Sequence, residues 1–97
     1  MLAEARTRIR RYTPDEVRSD PNLLVVDTRS TDEREQTGVI PGSVHVPLSV
    51  VPWRTEHFAG RRVCLVCAHG YSSSLAAALL VELGVDAGDL EGGYEAW

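Results

Sequence analysis

Two cysteines, Cys64 and Cys67, stand in a C-x-x-C spacing inside "RRVCLVCAHGYSSSLAAALL", residues 61 to 80. Such a spacing can carry three kinds of chemistry: a dithiol redox couple, half a zinc site, or one nucleophilic thiol beside a bystander. Cys64 lies within the apolar run "VCLV", which reads as a strand. On a strand, side chains three residues apart point to opposite faces. A disulfide needs Cα atoms within about 7 Å and converging Cβ vectors, which an extended strand denies. Redox pairs belong at a helix start, with the first cysteine beyond the strand rather than within it. His45, His57 and His69 show no i, i+4 pairing that would complete a zinc site, so no metal is expected. Cys64 is assigned to the core. A cysteine that closes a strand is itself often only core, so on the residues alone Cys67 stands open between core residue and nucleophile.

The residues after Cys67 bear on that choice. If the strand stops at Val66 and a helix starts near Ser73, "CAHGYS" must turn sharply, and Gly70 supplies a positive φ. Consecutive N–H groups in such a turn converge into an anion-binding nest, and the helix adds its unpaired N–H groups and dipole. A sulfur held there ionises more readily than a free cysteine, whose pKa is about 8.5. His69 reads equally as a donor to a bound anion and as an exposed loop residue, and Tyr71 is placed to rim the pocket. Asp27 and Arg29 close another apolar run and read first as a hydrogen-bonded pair that fixes adjacent loops. Trp53 and Trp97 read as packing residues.

These residues need elements to hold them. "YTPDEV" gives a helix start with Thr13 as N-cap, Pro14 at the first position and Glu16 closing a capping box, and Pro21 ends that helix. Leu23 to Val26 read as a strand buried on both faces. Ser30 and Glu33 open a second capped helix. "GVIPGSVHVPL" is a structured loop around a brief strand at Val44–Val46, and "VVPWRTEHF" allows one helical turn or two. Arg62 to Val66 form the second strong strand. The serine-led, alanine-rich run after it forms the clearest helix, with Gly84 at C′ and Ser74, Ala78 and Glu82 as its solvent stripe. A last strand near Ala87–Leu90 precedes the turn "GGYEAW". Strands alternating with helices predict an α/β fold: a small, mostly parallel sheet flanked by helices on both faces. Sites in such sheets form beyond the carboxyl ends of the strands. Asp27–Arg29 and Cys67–Ser72 both lie there, so one shared site is expected.

At 97 residues, 43% hydrophobic and 25% charged, the chain has the balance of one ordinary globular domain, read as 1–97 with 1–9 as a flexible N-terminal arm. The start "MLAEARTRIRRY" has no apolar stretch of a signal peptide, and the longest apolar run, Leu75 to Val81, is far short of the ~20 residues that span a bilayer. A soluble, cytoplasmic protein with no membrane partner is the expectation. All ten basic residues are arginines at or before Arg62, and residues 63 to 97 carry acids only. That argues against a nucleic-acid partner for this half. Arg6, Arg8, Arg10 and Arg11 read as a solvated terminus.

Taken together, "CAHGYSS" between a hydrophobic strand and an alanine-rich helix resembles the active-site loop of single-domain rhodaneses, the thiosulfate-type sulfurtransferases. "LLVVDTRS" resembles that family's Asp-x-Arg strand end, "GVIPGSVHVPL" its IPG segment, and "DLEGGYEAW" its C-terminal GG-x-x-x-W. The similarity runs over about residues 10 to 97, with four motifs in order. It implies a rhodanese-like fold and sulfur transfer through a persulfide on Cys67, with no metal or organic cofactor required. The loop from Ala68 through His69, Gly70, Tyr71, Ser72 and Ser73, with Arg29, would bind the substrate. The implied partners are a small-molecule sulfur donor such as thiosulfate and a cyanide or thiol acceptor, with a protein-bound sulfur acceptor as a further option. A regulatory or non-enzymatic sulfur-relay module is the alternative. The loop departs from many thiosulfate-specific relatives in carrying no Arg or Lys. Relatives also often continue with a further helical segment beyond the position of Trp97. Phosphatases with this fold use a C-x5-R loop; here the arginine's place is held by Ser73, which offers no bidentate clamp for a phosphoryl group.

Overall fold

Five short strands pair side by side, all in parallel, in the computed structural model, which describes every residue from Met1 to Trp97. The strands are β1 (Arg10–Tyr12), β2 (Leu24–Asp27), β3 (Val44–His45), β4 (Arg62–Val66) and β5 (Asp86–Leu90), in the order β1-β5-β4-β2-β3. β4 lies at the centre, and its alternation sorts the core. Val63 and Leu65 join one cluster with Phe58, Ala77 and Leu80; Cys64 and Val66 join another with Tyr12, Val17 and Leu90. The two clusters lie under helices on opposite sides of the sheet, α5 (Ser72–Glu82) over the first and α2 (Pro14–Ser19) over the second. The expected α/β architecture is the observed one.

Both capping boxes are present. Thr13 and Glu16 start α2, and Ser30 and Glu33 start α3 (Thr31–Thr37), each pair exchanging side-chain-to-backbone bonds. α5 ends at Glu82, with Gly84 at φ +89° two residues on. The ambiguous segment resolves into a 3-10 helix, Leu48–Arg54, followed by one turn, α4 (Thr55–Phe58). No helix is long and apolar enough to cross a membrane.

Several expectations are corrected. Residues 1–9, read as an arm, contain α1 (Leu2–Thr7), which packs on α5 and buries Ala5. That packing covers two of the three residues assigned to solvent: Ser74 and Ala78 are buried, Glu82 is exposed as expected, and Leu75, Leu79 and Leu83 are exposed as well. Arg6 and Arg11 are half-buried and reach inward to the Gly70 carbonyl, while Arg8 and Arg10 are exposed as expected. β2 runs Leu24–Asp27, with Leu24 and Val25 only half-buried because β3 beside them is just two residues long. Trp53 is 80% exposed and does not pack, whereas Trp97 stacks its ring 4.1 Å from the Arg18 guanidinium.

Candidate active site

The carboxyl ends of β2 and β4 are tied together by Thr28, whose N–H and hydroxyl both donate to the carbonyl of Val66 at 2.8 Å. This brings the Asp27–Arg29 turn beside Cys67. Asp27 Oδ1 accepts from the Arg29 backbone N–H and Nε, and Oδ2 accepts from Arg29 Nη2 (2.8 Å) and Arg34 Nε (3.2 Å). Arg29 also donates to Thr37 Oγ1 and the Gly38 carbonyl and lies 3.8 Å from the Tyr94 ring. Its guanidinium is therefore largely committed to the protein, leaving little for a ligand. Burial raises the Asp27 pKa, but hydrogen bonds from Arg29 and the nearby charges of Arg29 and Arg34 outweigh it and hold the pKa below the usual value.

A carboxylate whose folded-state pKa is depressed, as that of Asp27 is, stabilises the protein above its unfolded pKa of about 3.9, and that contribution is lost as pH falls through the lower folded value. Urea denaturation is expected to show a stability loss that steepens below about pH 4. Asp27→Asn should cost about 3 kcal/mol at pH 7, because an amide N–H then confronts the buried Arg29 donors. It should also remove that acid-dependent component.

Cys67 lies just beyond β4, and the chain turns back at Gly70, whose φ is +83°. Its Sγ accepts from the N–H of Gly70 at 3.1 Å and of Ser73 at 3.4 Å, and the Ser73 hydroxyl lies 3.1 Å away. Burial raises the thiol pKa, but the hydroxyls of Ser73 and Ser72 and the two N–H groups outweigh it, so Cys67 ionises below its ordinary value. Cys64 is the opposite case. It is fully buried, and burial together with the Asp89 charge pushes its thiol far up. Both thiols are free.

The turn is shaped from below by the segment after β5. The Tyr94 N–H donates to the Cys67 carbonyl at 2.8 Å and the Glu95 N–H to the Ala68 carbonyl at 3.1 Å. Gly93, at φ +67°, passes so close that a Cβ there would lie 2.5 Å from the Cys67 carbonyl oxygen and 2.6 Å from the Gly70 nitrogen. Cys67 forms part of the wall of a cleft of about 370 Å³, with Thr28, Ser30, Glu33, Ser49 and Ser72 among its lining. A neighbouring cleft of about 590 Å³ shares Arg29, Glu33 and Ala68 with it and extends to Tyr94 and Trp97.

This strand–turn–helix with a cradled sulfur is matched by a family model, the rhodanese-like domain, over residues 13–97. The chain belongs to the rhodanese-like domain family. A curated relative of this domain, the thiosulfate sulfurtransferase GlpE of Pseudomonas savastanoi pv. phaseolicola, is 32% identical over 95 residues, covering 94% of this chain and 89% of the relative. Among solved structures, a rhodanese-like domain protein from Staphylococcus aureus superposes with a TM-score of 0.82 at 29% identity, covering 92% of this chain and 91% of the other. A protein of unknown function from Rhodopseudomonas palustris, described as a possible tyrosine phosphatase, gives 0.88 at 25% identity, over 99% of this domain and 84% of its own chain.

Within this rhodanese-like domain, Gly70, Ser72 and Ser73 face the sulfur, whereas two other expected loop residues face away. The His69 ring pairs with Glu95 at 2.5 Å, and Tyr71 is 61% exposed at the rim. Sequence reasoning placed the Asp27–Arg29 turn, and with it Thr28, at the shared site but missed Glu33 and Ser49, which also line the cleft. It also missed Asp89, which is fully buried behind the Cys67 turn. Its one sequence signal was an acid between apolar residues near the end of a strand, "DAGDL".

Proposed function

We propose that this protein is a sulfurtransferase that carries a sulfane sulfur as a persulfide on Cys67. The observation that supports it is the Sγ itself, held by two backbone N–H groups and a hydroxyl at the edge of an open cleft. These groups stabilise a thiolate, which is the attacking form of cysteine. With thiosulfate as donor, the thiolate attacks the outer sulfur, its S–S bond breaks, and sulfite leaves with the bonding pair. The remaining Cys67–S–S⁻ carries one negative charge, which the Ala68–Ser73 turn can hold through its N–H groups. Cyanide or a thiolate then attacks the outer sulfur, and Cys67 leaves again as thiolate.

The cleft also bears on the donor. The lining brings Glu33 to the mouth and, with Arg29 engaged, no free cation. A dianion would be bound by N–H groups and the hydroxyls of Ser30, Ser49 and Ser72 against a carboxylate. This favours a singly charged or thiol-borne persulfide donor over thiosulfate. Phosphatase chemistry is disfavoured by the same loop, because Ser73 holds the place of the arginine and bonds to Asp89 and Cys67.

The test is mass spectrometry of the protein after incubation with thiosulfate or with a low-molecular-weight persulfide. Cys67 is expected to gain one sulfur, about 32 Da, and to lose it on addition of cyanide. An unmodified Cys67 under both donors would remove the proposal.

A further inference from the structure

Behind the Cys67 turn lies a charge network that the sulfur-transfer steps themselves do not use. Asp89, near the carboxyl end of β5, is fully buried. Its Oδ1 accepts from Arg11 Nε at 3.0 Å, and its Oδ2 accepts from the hydroxyls of Ser73 at 2.9 Å and Ser74 at 2.6 Å, with Arg11 Nη2 at 3.4 Å. The Ser73 hydroxyl is also 3.1 Å from Cys67 Sγ. Ser73 has one proton to donate and two anionic acceptors for it. When Cys67 is a thiol, S–H donates to Ser73 Oγ and Ser73 donates to Asp89. When Cys67 is a thiolate, the Ser73 proton can turn to the sulfur, and Asp89 keeps Ser74 and Arg11. Arg6 and Arg11 also donate to the Gly70 carbonyl, at 2.8 and 3.3 Å, on the peptide unit just after the sulfur-bound N–H.

We propose that the pair formed by the partly buried Arg11 and the buried Asp89, acting through the Ser73 hydroxyl, sets how readily Cys67 ionises, with Asp89 and Arg11 as positioning residues. The inference rests on Cys67 being the reactive thiol. An uncompensated Asp89 charge holds the Ser73 proton and repels the thiolate, while Arg11 offsets both effects. The other charged or titratable groups around Cys67 are otherwise engaged or exposed. Asp27, Arg29 and Arg34 pair with one another, and His69 pairs with Glu95 at the surface. Glu33 caps α3 at the cleft mouth, and Cys64 faces the core cluster of Tyr12, Val17 and Leu90. Arg6 bonds Ser74 as well as Gly70.

The experiment is the pH profile of iodoacetamide alkylation at Cys67, measured by mass spectrometry in a Cys64→Ser background, with thermal melting as the check on folding. Asp89→Asn is expected to lower the alkylation midpoint by about one pH unit, because a charge close to the sulfur is removed. Arg11→Gln is expected to raise it by a similar amount, and Arg11→Lys to return it toward wild type. A pair that merely props the turn would, when either member is lost, loosen the turn and shift both midpoints upward. Shifts in the same direction, or none, overturn the inference. Should Asp89→Asn not fold, Arg11→Gln and its lysine rescue decide: a raised midpoint restored by lysine supports the inference, and an unmoved or unrescued one overturns it. A wild-type Cys67 that resists alkylation altogether would instead refute the reading of Cys67 as nucleophile.

Discussion

Cys67→Ser is expected to reduce thiocyanate formation from a sulfane donor and cyanide by on the order of 10³-fold or more, while Cys64→Ser retains most of the wild-type rate. The asymmetry comes from the two environments. Cys67 receives the N–H groups of Gly70 and Ser73, and a serine there has no accessible oxyanion at neutral pH and no stable per-sulfur form. Cys64 projects into the cluster of Tyr12, Val17 and Leu90, with its thiol held protonated. Its replacement should lower stability modestly, through a buried hydroxyl, without touching the sulfur cradle. A coupled assay on both variants checks this. Equal loss in the two would return the dithiol reading that the C-x-x-C spacing first suggests.

Gly93→Ala is expected to cost about 2–5 kcal/mol by urea denaturation, from the left-handed backbone penalty together with overpacking. It should also lower turnover on the order of 10²-fold in the protein that remains folded, through displacement of the reacting group. The cause is steric. The new Cβ would lie 2.5 Å from the Cys67 carbonyl oxygen and 2.6 Å from the Gly70 nitrogen, both backbone atoms with no flexible end to yield. Relief requires the turn to move, and the turn is what places the N–H groups on sulfur. Gly42→Ala is the control, since it shares a positive φ but nothing lies within 4 Å of its Cβ position. It should lose some stability and no specific activity.

Much of this fold is written locally. The capping boxes at Thr13/Glu16 and Ser30/Glu33, and the continuous apolar run of β4, each specify their element with no help from distant residues. The assignment of Cys64 to the core was legible for the same reason, since strand alternation separates it from Cys67 whatever surrounds them. What could not be read was anything set by partners far along the chain. Ser74 and Ala78 look like a solvent stripe on α5 until α1 lies over them, and nothing in α1 alone says where it will dock. The arginines at 6 and 11 look like a solvated terminus until the Gly70 carbonyl and Asp89 are placed opposite them, 59 or more positions away. The cleft lining from Glu33 and Ser49 is of the same kind, because the segments after β2, β3 and β4 meet there only through the parallel register of those strands.

The tying of one turn to segments on either side of it in sequence has a consequence for biogenesis. The residues that shape the Cys67 turn come from positions 6 and 11 on one side and from 89 to 95 on the other. On a ribosome, a nascent chain that has extended only as far as α5 therefore carries the cysteine without its cradle. Its thiol there should behave as an ordinary, weakly acidic one, and it acquires its chemistry only when the last strand and the glycine pair have closed beneath it. Alkylation of Cys67 at mildly acidic pH would then report the closure of β5 and the glycine pair beneath the turn.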